Sequence, residues 1–198
     1  MMRVVVAMSG GVDSSVAAAL LKEQGYEVIG ITTQLQPLNQ QAGEIERFGG
    51  CCGLRDIADA KKVSRRLDIP HYVVNFRDIF ARYVIADFCH EYRLGRTPNP
   101  CIRCNQHIKF DALLKRAQEL GADMIATGHY ARIGNHHERY FLQKSTDHHK
   151  DQTYFLYTMT QEQLQHSLFP VGNLTKEEVR RIAEKLELSI ADKPESQE

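Results

Sequence analysis

The chain has 198 residues, of which 25 are basic and 25 acidic, and 42% of its residues are hydrophobic. This length and composition are expected for one substantial core with room for a small appendage. No apolar stretch approaches the roughly 20 residues of a membrane span, and Met1-Met2-Arg3 leads into the first predicted strand without a signal peptide. The sequence therefore argues against a membrane or secreted protein and predicts a cytoplasmic one. Its five cysteines are an odd number and unevenly placed, which favours reduced thiols over a disulfide framework.

The first predicted element is a buried strand, Val4-Val5-Val6-Ala7-Met8, and helix-favouring residues begin at Ser14. The turn between them is typical of a phosphate-binding loop and has the sequence Ser9-Gly10-Gly11-Val12-Asp13-Ser14-Ser15. Its glycines let the backbone approach an anion, and the helix start offers N–H groups and partial positive charge. It lacks the lysine of a Walker A loop. Pyrophosphate binding, with Asp13 meeting Mg²⁺, therefore fits better than γ-phosphate transfer. The alternative is an ordinary turn capped by Ser14.

Further along the chain, strands alternate with helices of ten or more residues. Strands are predicted at 27–33, 71–76 and 124–127, helices at 54–67, 78–92 and 108–120, a hairpin at 130–133 and 139–142, and a last helix from the capping box at Thr175 to Leu186. This order predicts an α/β fold with a doubly wound, mostly parallel, Rossmann-like sheet, a β-hairpin and a C-terminal helical extension. The loops at 9–15, 32–53, 95–106 and 127–132 would share the carboxyl edge of that sheet. We expect a domain over 1–150 and the extension over 151–198.

The segment from Gly95 to Asn105 is predicted to be a proline-stiffened loop that presents Cys101 and Cys104 beside Arg103. Positive charge and a nearby helix start favour the nucleophilic thiolate, although this spacing also suits zinc or an iron–sulfur cluster. A closed zinc site would need two more ligands, and the only other cysteine pair is Cys51-Cys52. Between residues 93 and 116, six basic side chains face a single acidic one, an excess of five positive charges. This excess indicates either phosphate binding or a solvated helix face.

SGGVDSS resembles the PP-loop of the N-type ATP pyrophosphatases, a group that includes GMP, argininosuccinate and NAD synthetases as well as tRNA thiolases. Together with RTPNPCIRCN, ATGHYAR at 126–132, KDQTYFLY at 150–157 and SLFPVG at 167–172, it makes the chain similar to the N-terminal catalytic domain of the tRNA-specific 2-thiouridylase family. The resemblance implies that ATP adenylates the C2 oxygen of the wobble uridine in tRNA, pyrophosphate leaves, and sulfur from a cysteine persulfide displaces AMP. It also implies a persulfide donor protein, a cysteine desulfurase or relay, as partner.

Individual roles follow from the resemblance. The catalytic candidates are Cys104 as the nucleophile, Cys101 and Asp13, and the target base would meet Asn99, Pro100 and Cys101. The nucleotide would meet Ala7, Met8, Ser9, Gly10, Gly11, Val12, Asp13, Ser14, Thr33 and Gly128, and tRNA would meet Lys150, Asp151 and Gln152. Without the resemblance, Asp151 would be interpreted as the cap of a helix start and His129 as a packed, hydrogen-bonded residue.

The chain departs from the family pattern in two places. Cys101 stands where many members carry Asp, a candidate base, and a thiol with a pKa near 8.5 is a poorer base at neutral pH. Our hypothesis is that Cys101 and Cys104, with one more cysteine, hold a four-iron cluster that carries the transferred sulfide. The family's persulfide-receiving cysteine would come two residues after Glu198, and its later domains are absent from the sequence. We therefore expect this chain to bind ATP without completing thiolation.

Two other functions remain compatible with the residues. One is a different PP-loop adenylating ligase, similar to GMP synthetase, with a small-molecule acceptor. The other is a non-catalytic tRNA-binding module that keeps the nucleotide pocket as a scaffold.

Overall fold

A computed structural model describes residues 1–35 and 53–194. The strands are β1 Arg3–Ala7, β2 Glu27–Gln34, β3 His71–Asn75, β4 Met124–Ala126, β5 Ala131–His136, β6 Arg139–Lys144 and β7 Ser167–Leu168. Five of them form a parallel sheet in the order β3-β2-β1-β4-β7, and β5 pairs with β6 as an antiparallel hairpin. The predicted parallel sheet is confirmed, and β7 is a strand that the sequence analysis missed because it is only two residues long.

The helices are α1 Val12–Glu23, α2 Leu54–Arg66, α5 Gln161–Gln165 and α6 Lys176–Lys185. Two longer helices each consist of three consecutive segments: α3 of Arg77–Phe80, Ala81–Ile85 and Ala86–Arg93, and α4 of Pro100–Cys104, Asn105–Ala112 and Leu113–Glu119. The middle segment of each is π-helical, a wide turn that is frequent at functional sites. Among the described residues, no helix is long and apolar enough to cross a bilayer.

Helices cover both faces of the sheet. Side chains alternate along a strand, so Val4 and Val6 of β1 pack with residues of α1, α2 and α6, whereas Val5 packs with residues of α4. All three valines are fully buried. This packing confirms the doubly wound arrangement.

Residues after 150 contribute to the same sheet and core. β7 pairs with β4, Ser167 opposite Ile125, and Val179 of α6 belongs to the cluster around α1. The boundary at residue 150 stays a prediction.

The cysteine segment is helical, not the extended loop that its two prolines suggested. Asn99 is the N-cap of α4, and its Oδ1 accepts a hydrogen bond from the Cys101 N–H at 2.9 Å. Pro100 occupies the first helical position, where a missing N–H costs nothing because that group has no partner inside the helix. The helix therefore starts at Pro100 instead of Ile108, and Cys101 and Cys104 lie on its first turn.

α3 runs antiparallel to α4. Asp87 accepts a hydrogen bond from Arg103 Nε at 3.1 Å, and the Tyr83 ring stacks on His107 at 4.7 Å, so residue numbers rise along one helix as they fall along the other. The segment Ala86–Arg93 buries no side chain. The predicted helix at 78–92 is confirmed, and its second half is an exposed arm beside the cysteine-bearing turn.

The hairpin turn lies further along the chain than predicted. Its two turn residues are His137 and Glu138, both with positive φ, whereas the sequence pointed to Gly134–His137. Two-residue hairpin turns need such backbone angles to match the strand twist. Gly134 instead lies within β5 against the Phe141 ring.

Candidate functional site

The loop after β1 forms a cradle of backbone N–H groups. α1 starts at Val12 with Gly11 as its N-cap, and no side chain caps it. The ordinary-turn alternative required Ser14 to cap the helix, and it does not. Its hydroxyl instead accepts a hydrogen bond from Ser9 N at 3.2 Å and donates to Gly11 O at 3.3 Å. Ser15 Oγ also donates to Gly11 O, at 2.8 Å. Serine side chains thus brace the loop, and the N-terminus of α1 is suited to an anion.

Two glycines allow other elements to close on this loop. Gly10 has φ +75°, and a Cβ placed there would lie 2.3 Å from the backbone oxygen of Asp56 in α2. A Cβ on Gly128, after β4, would lie 2.5 Å from the backbone N of Ser14. The loop is therefore enclosed by backbone from α2 on one side and from the end of β4 on the other.

Thr33 and Gly128, the predicted adenosine-side positions, follow the same carboxyl edge of the sheet. Thr33 is paired with Val74 near the end of β2, and Ala7 is paired with Ile31 at the end of β1. The hydrogen bonding between β1 and β2 extends one residue further, because Met8 N donates to Ile31 O at 2.8 Å. The loops at 9–15 and 127–132 therefore share the carboxyl edge of the sheet, as predicted, whereas most of the loop at 32–53 lies outside the described residues. Contact of these loops with a nucleotide stays a prediction.

Asp13, the residue predicted to meet Mg²⁺, is hydrogen-bonded to two side chains of the protein. Lys176 Nζ donates to its two carboxylate oxygens at 2.6 and 2.8 Å, and the Tyr130 hydroxyl donates to Oδ1 at 2.9 Å. Mg²⁺ is usually bound by one or two carboxylates and substrate phosphates in octahedral geometry, and both oxygens of this carboxylate already hold hydrogen bonds. The described residues therefore do not form a magnesium site without phosphate ligands. Sequence analysis missed Lys176, because a lysine after a capping threonine looks like an ordinary helix start.

Lys193 is a second lysine that the sequence did not single out. Its Nζ donates to Gly10 O at 3.0 Å, to Asp56 Oδ1 at 2.9 Å and to Asp59 Oδ2 at 2.8 Å. Burial lowers the pKa of Lys193, but hydrogen bonds to the two carboxylates outweigh it and raise the pKa. The chain after α6 is thus tied to both the loop and α2.

The two thiols of α4 differ in exposure, Cys104 being buried and Cys101 half-buried. The Arg103 guanidinium between them binds Asp87 Oδ2 and Gln106 Oε1, each at 3.1 Å, so part of the expected positive charge is neutralised. Within residues 1–35 and 53–194 no group of three His, Cys, Asp or Glu side chains forms a metal site. The described thiols thus do not make a zinc or four-iron site, and Cys51-Cys52 lies outside the described residues.

A hydrogen-bonded path joins the loop to the cysteine helix. Tyr130, which binds Asp13, forms two backbone-mediated bonds with Gln152: its N–H donates to Gln152 Oε1 at 3.0 Å, and its carbonyl accepts from Gln152 N at 2.9 Å. Phe155 N donates to Gln152 O at 3.1 Å, and Phe155 O accepts from Asn105 Nδ2, also at 3.1 Å. Asn105 follows Cys104 directly. Hydrogen bonds therefore link residues of four of the sequence motifs.

Asp151 forms a side-chain turn onto Thr153 at the start of a short helix, but the N-cap of that helix is Gln152, not Asp151 as the residues alone suggested. Asp151 Oδ1 accepts hydrogen bonds from Thr153 N at 2.8 Å and Thr153 Oγ1 at 2.6 Å, and a short 3-10 helix runs over Thr153–Leu156. Beside this turn the Tyr154 and Tyr157 rings are about two-thirds exposed. Contact of Lys150, Asp151 and Gln152 with tRNA stays a prediction.

His129 is a packed residue, as expected. It is 5% exposed, and its Nδ1 lies 2.7 Å from Thr127 Oγ1. Burial, followed by the nearby charge of Lys109, lowers the pKa of His129 well below its usual value. The imidazole is therefore neutral at physiological pH.

The excess of basic side chains at 93–116 is largely balanced by acidic groups. Their partners include carboxylates just outside that window, which the count missed. The ion pairs are Arg96–Glu91, Arg103–Asp87, Lys115–Asp111 and Arg116–Glu119. The basic residues at 93–116 are therefore better explained as a solvated helix face than as a surface that binds a phosphate backbone.

A cleft of about 350 Å³ lies away from these residues. Leu21 and Gln24, at the far end of α1, line it together with Arg132 and Phe169. Arg132 and Phe169 belong to the sequence motifs at 126–132 and 167–172.

The chain matches the family model described as tRNA methyl transferase HUP domain over residues 2–198. It is 61% identical over 198 residues to the tRNA-specific 2-thiouridylase MnmA of Geotalea uraniireducens (strain Rf4), covering 99% of this chain and 53% of that protein. It is 57% identical over 196 residues to the protein of the same name from Clostridium acetobutylicum, covering 99% and 55%. The chain thus spans about half the length of the curated relatives it matches.

Two solved structures show the same fold. The U34-tRNA thiolase NcsA from Methanococcus maripaludis, with its 4Fe-4S cluster, superposes with a TM-score of 0.56 at 23% identity, over 95% of this chain and 58% of that one. A 4-thiouridine synthetase–RNA complex with bound ATP gives a TM-score of 0.57 at 18% identity, over 98% and 43%. At these identities the likeness concerns the fold alone.

Proposed function

Because the chain belongs to the tRNA methyl transferase HUP domain family, we propose that it is the ATP-using catalytic part of a cytoplasmic tRNA-specific 2-thiouridylase. The observation that carries the proposal is the hydrogen-bonded path from Asp13 through Tyr130, Gln152 and Phe155 to Asn105, beside Cys104. An adenylating site and a sulfur-transferring thiol must act on the same uridine. The path holds both on one rigid frame.

The ATP half of the reaction takes place at the loop. The triphosphate binds the N–H groups at the start of α1, and the adenosine lies toward Thr33 and Gly128. The C2 oxygen of the uridine attacks the α-phosphorus, the bond to the β-phosphate oxygen breaks, and pyrophosphate leaves. The protein's task in this step is to orient the phosphates and stabilise charge on the departing pyrophosphate.

The sulfur half takes place at the first turn of α4. The terminal sulfur of a protein persulfide attacks C2 and AMP leaves, which forms a sulfur–carbon bond at the former site of the oxygen. The Cys104 thiolate then attacks the inner sulfur, breaks the sulfur–sulfur bond and releases 2-thiouridine, leaving a disulfide that a cellular thiol reduces. A donor protein, a cysteine desulfurase or a relay, supplies the persulfide sulfur.

Exposed aromatic side chains support contact with tRNA. Single-stranded bases in RNA loops stack on exposed aromatic rings. Tyr154 and Tyr157 beside the 150–152 turn, and Tyr92 on the exposed arm of α3, are each about two-thirds exposed. We propose that the turn contacts the anticodon loop through these rings together with Lys150.

Pyrophosphate release tests the proposal. The chain is incubated with ATP and either unmodified tRNA with a wobble uridine, the same tRNA with cytidine at that position, or no RNA. We expect release only with the uridine-containing tRNA. Release that needs a small-molecule acceptor and ignores tRNA would support a ligase similar to GMP synthetase, and tRNA binding without any release would support a non-catalytic module.

A further inference from the structure

The phosphate-binding loop contains no lysine, yet the fold brings one to it from a distant part of the chain. Lys176 lies 163 residues after Asp13, and its Nζ is 2.6 and 2.8 Å from the two carboxylate oxygens. The lysine side chain is 13% exposed, whereas that of Asp13 is 31% exposed. A cation is therefore held at the first turn of α1, where the sequence motif itself supplies only a negative charge.

The position of Lys176 in its own helix is unfavourable for a cation. It is the first residue of α6, at the positive end of the helix dipole, where acidic side chains are preferred. The backbone there is held firmly, because Thr175 caps the helix and Lys176 N donates to Asp147 Oδ2 at 3.0 Å. That hydrogen bond is the main cause of the lowered pKa of Asp147. The side chain also extends over the Tyr130 ring, with Nζ 5.8 Å from the centroid.

We propose that Lys176 is an ATP-binding residue that contacts the β- and γ-phosphates, and that Asp13 holds it in place until the nucleotide arrives. The inference rests on the ATP-binding role proposed above. Without the lysine, the Asp13 carboxylate would repel a triphosphate at the start of α1. With it, the pair is neutral, and the ammonium turns toward the phosphates when they fill the cradle. Lys176 thus does the work of the lysine that a Walker A loop carries within its own motif.

The test compares the affinities of ATP, AMP and adenosine for five forms of the 198-residue chain, measured by calorimetry at fixed ionic strength. The forms are the unsubstituted chain, Lys176→Met, Lys176→Arg, the charge-balanced double variant Asp13→Asn/Lys176→Met, and Lys185→Met. Lys185 ends the same helix and is exposed, so its substitution makes the same change of charge away from the loop. We expect Lys176→Met to lower the ATP-to-AMP affinity ratio at least tenfold while adenosine affinity is kept. Lys176→Arg should restore part of the ratio.

The double variant separates phosphate binding from a purely structural ion pair. Removing both charges of a buried pair is often neutral for the fold, whereas removing one is not. If the double variant recovers the ATP-to-AMP ratio of the unsubstituted chain, Lys176 only neutralises Asp13 and the inference is wrong. It is also wrong if Lys176→Met keeps the ratio. If the unsubstituted chain does not bind ATP, the proposed function itself fails, and this inference fails with it.

Discussion

Replacing Gly10 with alanine tests whether the loop depends on the close approach of α2. The new Cβ would lie 2.3 Å from Asp56 O and 2.7 Å from Asp56 Cα, atoms of the backbone that cannot rotate away. The residue also has φ +75°, which costs a residue with a Cβ about 1–2 kcal/mol. Overpacking adds about 1–3 kcal/mol, so we expect a total loss of about 2–5 kcal/mol of unfolding free energy.

Gly95→Ala is the matched control, because Gly95 has φ +73° and no atom within 4 Å of an added Cβ. It should carry only the backbone cost of about 1–2 kcal/mol. Urea denaturation monitored by circular dichroism gives both values, provided that the slope against denaturant stays constant. For a chain of this length, 1 kcal/mol corresponds to about 2–4 °C in melting temperature. The excess of Gly10→Ala should therefore be about 2–12 °C.

The comparison has a clear failing result. If Gly10→Ala and Gly95→Ala destabilise the chain equally, within about 0.5 kcal/mol, α2 does not press on the loop as the structure shows. We also expect weaker ATP binding in Gly10→Ala alone, because moving α2 outward disturbs the hydrogen bond between Lys193 and the Gly10 carbonyl. Unchanged ATP affinity in a destabilised Gly10→Ala would limit the role of this contact to folding.

Three further predictions concern single side chains. Burial lowers the pKa of His129, so just below pH 6.5 the unfolded chain takes up a proton on this imidazole and the folded chain does not. The unfolding free energy should therefore be highest above that pH and fall below it by up to about 1.4 kcal/mol per pH unit. Denaturation of His129→Asn between pH 5 and 8 should show a shallower fall. Lys193→Met should cost about 2 kcal/mol of unfolding free energy by removing charged hydrogen bonds. The control Lys185→Met, at an exposed position of α6, should change the melting temperature little, and equal effects would contradict the anchoring role. Cys101→Asp should release pyrophosphate faster with tRNA at pH 7 than Cys101→Ser, because a carboxylate is ionised there; equal rates would mean that this side chain is not the base.

Local patterns were sufficient to predict the alternation of strands and helices and the glycine-containing turn between β1 and α1. The centre of β1 is a run of three buried valines, and two glycines follow within four residues of the end of the strand. Both signals depend only on residues near one another in the sequence. The start of α4 was missed for the opposite reason: Pro100 is compatible with an extended loop and with a first helical turn. The side chain of Asn99 decides between them by capping the helix at Cys101 N.

Neighbouring residues thus predicted the kind of chemistry: a turn suited to an anion, two thiols three residues apart, and motifs that resemble those of a tRNA thiolase family. The distant groups that complete these motifs became visible only in the folded chain. Lys176 and Tyr130 reach Asp13, Lys193 reaches Gly10, and Gln152 links the loop side to the cysteine helix. Such partners are separated by more than a hundred residues or come from different strands and turns, so no local pattern reports them. Their positions follow from the order of the parallel strands, which brings the ends of β1, β2 and β4 to one edge.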